Sequence, residues 1–130
     1  MLGEGVSVNA QDESGYSPLH AAASYGHTEL IELLLSAGAT VDLEDEDGDT
    51  PLLYAEEPEV FELLVQHGAD RLKRNKQGEG IFEKLLDDEN EAMMKYMIEK
   101  GMVDDPELLA KMLRNIEVRA LKRVGDDSGF

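Results

Sequence analysis

A period of 33 residues constrains this chain more than any other feature. Gly15-Tyr-Ser-Pro-Leu-His-Ala-Ala returns as Gly48-Asp-Thr-Pro-Leu-Leu-Tyr-Ala, and the same offset links Gly5 to Gly38, Val8 to Val41, Asp12 to Asp45 and Leu19 to Leu52. Further along, Ala37-Gly38-Ala39 recurs as His67-Gly68-Ala69. A unit of this length cannot bury an apolar face by itself, so it must stack on its neighbours. Local chemistry says what each unit contains. Ser17 and Thr50 suit N-caps, with Pro18 and Pro51 at the first helical position, where no amide hydrogen is needed. Leu19 and Ala21–Ala23 form a helix of small residues, Gly26 permits a tight turn, and Thr28 is placed to cap a second helix. Leu30, Ile31, Leu33, Leu34 and Leu35 are expected to cover that helix's buried side, and Gly38 to end it in a left-handed conformation.

Ser/Thr-Pro-Leu-His-x-Ala at this period resembles the ankyrin repeat, and SPLHAAASYGHTELIELLLSAGATVD matches the family pattern almost throughout. The resemblance implies an all-α solenoid of stacked helix-turn-helix units, joined by short β-hairpin fingers and closed by a C-terminal capping helix. One domain is expected over residues 1–124, made of a partial repeat (1–14), a full repeat (15–47), a shortened repeat (48–77), a degenerate repeat (78–104) and a capping helix (105–124). Residues 125–130 form a tail. The second repeat lacks three residues between its helices, so Pro58 is expected to start its second helix directly. In the third, Arg74-Asn-Lys-Gln-Gly-Glu keeps Gly78, whereas Gly80 stands at the Thr position and Ile81 at the Pro position. Asn90–Lys100 reads as its second helix, with Met93, Met94, Met97 and Ile98 inward and Gly101 as the stop. Asp105-Pro106 then opens a last helix with Leu109, Met112, Leu113 and Ile116 at helical spacing, its C-terminal dipole complemented by Arg119, Lys122 and Arg123. Met1–Asp12 aligns with the end of a second helix and its outgoing strand. Such a half repeat caps the first full one poorly, which points either to a cut from a longer protein or to a missing helix.

The repeat also places the most acidic stretch. DLEDEDGDTP, Asp42–Pro51, has six carboxylates in ten residues. An EF-hand with Gly48 at its sixth position would put Leu43 at position 1 and Tyr54 at position 12, so two of the strongest calcium ligands are missing. Disorder is opposed by the apolar spacing that resumes at Leu52 and Leu53. The stretch is a finger between two helical pairs.

Charge is divided sharply along the chain. Of 29 acidic residues, sixteen lie between Met1 and Asp70, where there is no Lys or Arg; all twelve basic residues fall between Arg71 and Arg123. A field of that sign repels nucleic acid and anionic membranes and attracts basic surfaces; the alternative is that it serves solubility alone. The chain has no cysteine, which excludes disulfides and thiolate metal sites. No signal peptide or membrane span is recognisable, and a cytoplasmic and/or nuclear location is expected. His20, His27 and His67 lack metal-ligand spacing, and no phosphate loop or catalytic constellation stands out. In the family, the histidine of Pro-Leu-His bonds backbone groups of neighbouring turns, which is the role the resemblance implies for His20. No enzyme activity, cofactor or metal is expected.

What remains is surface. The resemblance implies protein binding through finger tips and the concave face. Carried over position by position, this points to Glu13, Ser14, Tyr16, Ser24 and Tyr25 in the first full repeat. In the second it points to Glu46, Asp47, Asp49 and Glu57, and in the third to Lys76, Gln77 and Glu79. Tyr16 and Tyr25 fit either binding anchors or fillers between repeats. The expected partner of a monomeric chain is a basic, Lys/Arg-rich protein. The chain is similar to small acidic ankyrin proteins that act as chaperones of basic ribosomal proteins, and a histone fits the same electrostatics. A structural fragment of a larger scaffold, or a targeting domain of an enzyme complex, is the alternative.

Overall fold

The computed structural model describes residues 7–127, with side chains through Lys122. The chain divides into two compact units, with the break between Ile81 and Phe82. In the first unit, α1 (Pro18–Tyr25) and α2 (Thr28–Ser36) are followed by a single 3-10 turn at Pro51–Tyr54 and by α3 (Pro58–Gln66). α1 packs on α2 and on the 3-10 turn, and α3 packs on α2 and on that same turn. Ile31, Leu34, Leu52, Val60, Phe61 and Leu64 fill the core between them; each fully buried aliphatic or aromatic side chain contributes about 1.5–3 kcal/mol.

Helix α1 begins as its sequence demands. Ser17 accepts from the His20 amide and the His20 ring reaches back to the Ser17 amide, a reciprocal cap. Gly26 ends the helix at φ 71°, a left-handed value that favours glycine. α2 departs from expectation in two ways. Thr28 is its first helical residue, and His27 occupies the cap position without a side-chain bond. Its buried face is also narrower, because only Ile31 and Leu34 are enclosed while Leu30 and Leu33 remain exposed.

The shortened repeat keeps its backbone entry but loses a helix. Thr50 is extended, with φ −88° and ψ 165°, as an N-cap should be, yet its hydroxyl makes no cap bond and is buried without a partner. With three residues missing, only one turn of 3-10 geometry forms before α3 starts at Pro58, as the sequence implies. The β-hairpin fingers are corrected too: among the described residues there is no strand. Each finger is a tight turn closed by too few bonds to make a ladder.

The second unit contains α5 (Glu91–Glu99) and α6 (Pro106–Asp127), which pack together, and α4 (Ile81–Asp87), which starts at the break itself. Asn90 caps α5 by accepting from the Met93 amide, and Met93, Met94 and Met97 are buried. The α4–α5 turn shares its main closing bond with the α1–α2 turn. His27 N–H donates to Ala22 C=O and Asn90 N–H to Leu85 C=O, both at 3.0 Å. Glu89 therefore stands where Gly26 stands, at φ 53°, the one positive φ outside glycine among the described residues. Residues 81–99 thus form a helix-turn-helix unit. α6 buries Met112 and half-buries Leu109 and Ile116, while Leu113 points outward. It also continues through residues 125–127, assigned above to a tail, whose remaining positions 128–130 lie outside the described residues. Arg119 and Lys122 accordingly precede its last turn and do not complement its C-terminal end.

Candidate functional site

Three fingers lie side by side, and one side chain at the base of each organises it. Asp12 Oδ1 accepts from the Ser14 and Tyr16 amides, both at 2.9 Å. Asp45 Oδ1 accepts from Asp47 and Asp49, both at 2.9 Å, and Asn75 Oδ1 from Gln77 at 2.9 Å and Glu79 at 3.0 Å. Gly15, Gly48 and Gly78 complete the turns by donating to the carbonyls of Asp12, Asp45 and Asn75. Neighbouring fingers are then joined by backbone bonds, Glu46 N–H to Ser14 C=O at 2.8 Å and Lys76 N–H to Asp47 C=O at 2.9 Å. Gly15 and Gly48 allow that approach. A Cβ on Gly15 would lie 2.6 Å from the Glu46 nitrogen, and one on Gly48 2.9 Å from the Lys76 nitrogen, whereas Gly78 faces open space. The sequence reading pairs Asp12 with Asp45 but misses Asn75. The available signal was Asp/Asn-x-x-Gly in all three fingers, with one asparagine among the aspartates.

Behind the fingers, His20 is fully buried and fixes two elements at once. The Ser17 amide donates to its Nδ1 at 3.1 Å, so Nδ1 accepts and Nε2 carries the proton, which it donates to the Asp49 carbonyl at 2.8 Å. This is the backbone-bonding role the resemblance implies. The His20 ring stacks on Tyr16 and meets Tyr54 edge-on, with centroids 5.5 Å apart in each case. Tyr54 donates to Asp45 Oδ2 at 2.6 Å. Burial first, and then the Asp45 carboxylate, push the Tyr54 phenol well above the ordinary tyrosine value.

The positions expected to contact a partner fall into two groups at opposite ends of α1, whose eight residues span about 12 Å. At the finger end Glu13, Ser14, Glu46, Asp47, Lys76 and Gln77 are exposed, while Tyr16 and Glu79 are half-buried. Asp49 is different. It is only 6% exposed and accepts from Asn75 Nδ2 at 3.0 Å, so its carboxylate ties finger two to finger three and is withdrawn from the tip. At the turn end Tyr25 is 78% exposed, Glu57 is exposed with its carboxylate against Gly26, and Ser24 is half-buried. Sign changes along the row: the tips of fingers one and two carry Glu13, Glu46 and Asp47, and that of finger three carries Lys76. Beside it Lys73 pairs with Glu44 at 3.0 Å, and this bond raises the ammonium pKa.

Asp45, Asp47 and Asp49 bring carboxylate oxygens within 4.8 Å of one another. Both Asp45 oxygens and one Asp49 oxygen already accept bonds, from the Asp47 and Asp49 amides, from Tyr54 of the 3-10 turn and from Asn75 of finger three, so turn formation and the packing of neighbouring elements account for the cluster.

A family model described as ankyrin repeats in three copies matches residues 1–75. The chain belongs to the ankyrin-repeat family. An ankyrin repeat-containing protein of Schizosaccharomyces pombe is 44% identical over 78 residues, which are 59% of this chain and 38% of that protein. SMC5-SMC6 complex localization factor protein 1 of Homo sapiens is 40% identical over 81 residues, 58% of this chain and 8% of that protein. Protein phosphatase 1 regulatory subunit 12A of Mus musculus is 39% identical over 74 residues, 55% of this chain and 7% of that protein. The chain therefore covers well under half the length of these relatives. Ankyrin repeats are general protein–protein interaction modules, and among the described residues no helix is long and apolar enough to cross a membrane.

Proposed function

We propose that the chain is a non-catalytic interaction module for a basic protein, acting as a chaperone or adaptor in the cytoplasm and/or nucleus. The carrying observation is the acidic edge of fingers one and two, where Glu13, Glu46 and Asp47 are exposed on turns that need none of those carboxylates for their own bonds. No Lys or Arg occurs up to Asp70, and the nearest basic tip residue, Lys76, belongs to finger three. Lys- and Arg-rich surfaces are attracted to it and nucleic acid is repelled, which suits a monomeric protein that shields a nucleic-acid-binding surface until that surface is assembled. Asp49 has no part in the contact. A second reading, a repeat segment of a larger scaffold or targeting subunit, is supported by the greater length of the relatives.

Affinity capture from native cell extract at low and moderate salt separates these readings. The wild-type chain is compared with a Glu46→Ser, Asp47→Ser variant of unchanged melting temperature. One basic protein held at moderate salt by the wild type and lost by the variant supports the proposal. Many basic proteins released together by salt indicate unselective attraction. An identical catch from both chains moves the site off the fingers and favours the scaffold reading.

A further inference from the structure

All three fingers belong to the first unit, and the repeat sets their residues in register. Glu13 corresponds to Glu46 and Lys76, and Gln11 to Glu44 and Arg74. At both positions the charge reverses between finger two and finger three, although the turns are built alike. Lys76 is exposed at the third tip with its stem against finger two, its Cγ lying 3.0 Å from where a Cβ on Gly48 would sit. Arg74 is exposed and donates to the Gly78 carbonyl across its own finger. The carboxylate of that finger, Glu79, is half-buried at the position of Tyr16 and Asp49. Glu44 is paired with Lys73. The exposed charges at the tips therefore run Glu13, then Glu46 and Asp47, then Lys76.

Spacing follows from the backbone. Each finger is two passes of chain, and passes joined by backbone hydrogen bonds, within and between these fingers, lie about 4.8 Å apart. Equivalent tips thus recur about every 10 Å. A segment in polyproline-II geometry returns to the same face every three residues, after about 9 Å.

We infer that the finger row reads charge order. It takes an extended partner segment with Lys or Arg at i and i+3, facing Glu13 and Glu46, and Asp or Glu at i+6, facing Lys76. Lys76 is the specificity determinant, because a uniformly basic segment sets a cation against it. The inference rests on the basic-partner reading and narrows it to a segment of mixed sign.

The test uses three peptides with blocked termini: Lys-Pro-Pro-Lys-Pro-Pro-Glu, the same residues ordered Lys-Pro-Pro-Glu-Pro-Pro-Lys, and Lys-Pro-Pro-Lys-Pro-Pro-Lys. An acid at the centre faces Glu46 whichever way the peptide runs. Each is titrated into the wild-type chain, Lys76→Gln and Lys76→Glu, followed by backbone amide shifts at moderate salt, where distant charges are screened. The wild type is expected to bind the first peptide roughly tenfold more tightly than the second. Lys76→Gln should narrow that difference, and Lys76→Glu should turn the preference to the all-lysine peptide. Equal binding of the first two peptides to the wild type overturns the inference, as does a preference that Lys76→Glu leaves unchanged. If the all-lysine peptide binds the wild type most tightly, binding follows net charge; the basic-partner reading then stands and charge order does not. If no peptide binds the wild type, the inference fails, and an extract capture that is also empty removes the basic-partner reading with it.

Discussion

The fingers and the helices that follow them respond differently to the same repeat. Three fingers share one set of bonds around Asp12, Asp45 and Asn75. The elements they lead into are an eight-residue helix, a four-residue 3-10 turn and a seven-residue helix. A finger is decided by a side-chain acceptor and a left-handed glycine within four residues, so its tip can carry Glu, Asp, Lys or Gln without structural consequence. A first helix is decided by length and by what packs on it, and three missing residues are enough to reduce it to a single turn. Variation is therefore tolerated at the tips, while the scaffold behind them carries the structural constraints.

Breaking a finger should have the largest effect. Gly15→Ala forces a left-handed alanine at φ 78° and drives a Cβ into the Glu46 backbone. A loss of about 2–4 kcal/mol in urea unfolding is expected, from strain plus the bond between fingers. Gly78→Ala carries the same φ penalty in open space and should lose only about 1 kcal/mol. Equal losses would mean that fingers one and two do not touch as described.

The caps sharpen the contrast between repeats one and two. Ser17→Ala removes a working cap and should cost about 1–2 kcal/mol. Thr50→Val removes a buried hydroxyl that has no partner and should be neutral or stabilising by up to about 1 kcal/mol. In the third repeat Glu89→Gly should stabilise by about 1 kcal/mol, because glycine relieves the positive φ and the exposed pair with Arg119 contributes little. Melting curves of the three variants test all of this together.

Tyr54 gives a modest effect at neutral pH and a distinctive one in base. Its folded pKa is raised, so its contribution is fully present below the ordinary tyrosine value of about 10 and falls as pH rises beyond it. Tyr54→Phe should cost about 1 kcal/mol at pH 7. The difference in stability between wild type and variant should then shrink in the alkaline range. A difference that stays constant from pH 8 to 11 would show that Asp45 does not hold the phenol.

Much of this arrangement was legible in the sequence because it is local. Ser17-Pro18 announces the cap of α1, Pro58 the start of α3, and Asn90 and Gly101 the ends of α5. The rest depended on neighbours that no single stretch reveals. Thr50 looks like Ser17 but opens a turn too short to use it. Asp49 looks like another tip carboxylate, and only the placement of Asn75 and His20 shows that it faces inward. Leu30 and Leu33 follow the same apolar period as Ile31 and Leu34, and their exposure follows from what lies on each side of α2. Tyr54, in the place of a small helix residue, reached back to Asp45 through contacts 9 residues apart.

The most direct test of the central claim is a backbone amide NMR titration of the chain with a Lys/Arg-rich segment of the captured partner. The account predicts shifts at Glu13, Ser14, Glu46 and Asp47 that disappear as salt is raised, with Asp49 changing little. Finger amides that stay silent while the segment binds through α4 to α6 would contradict it.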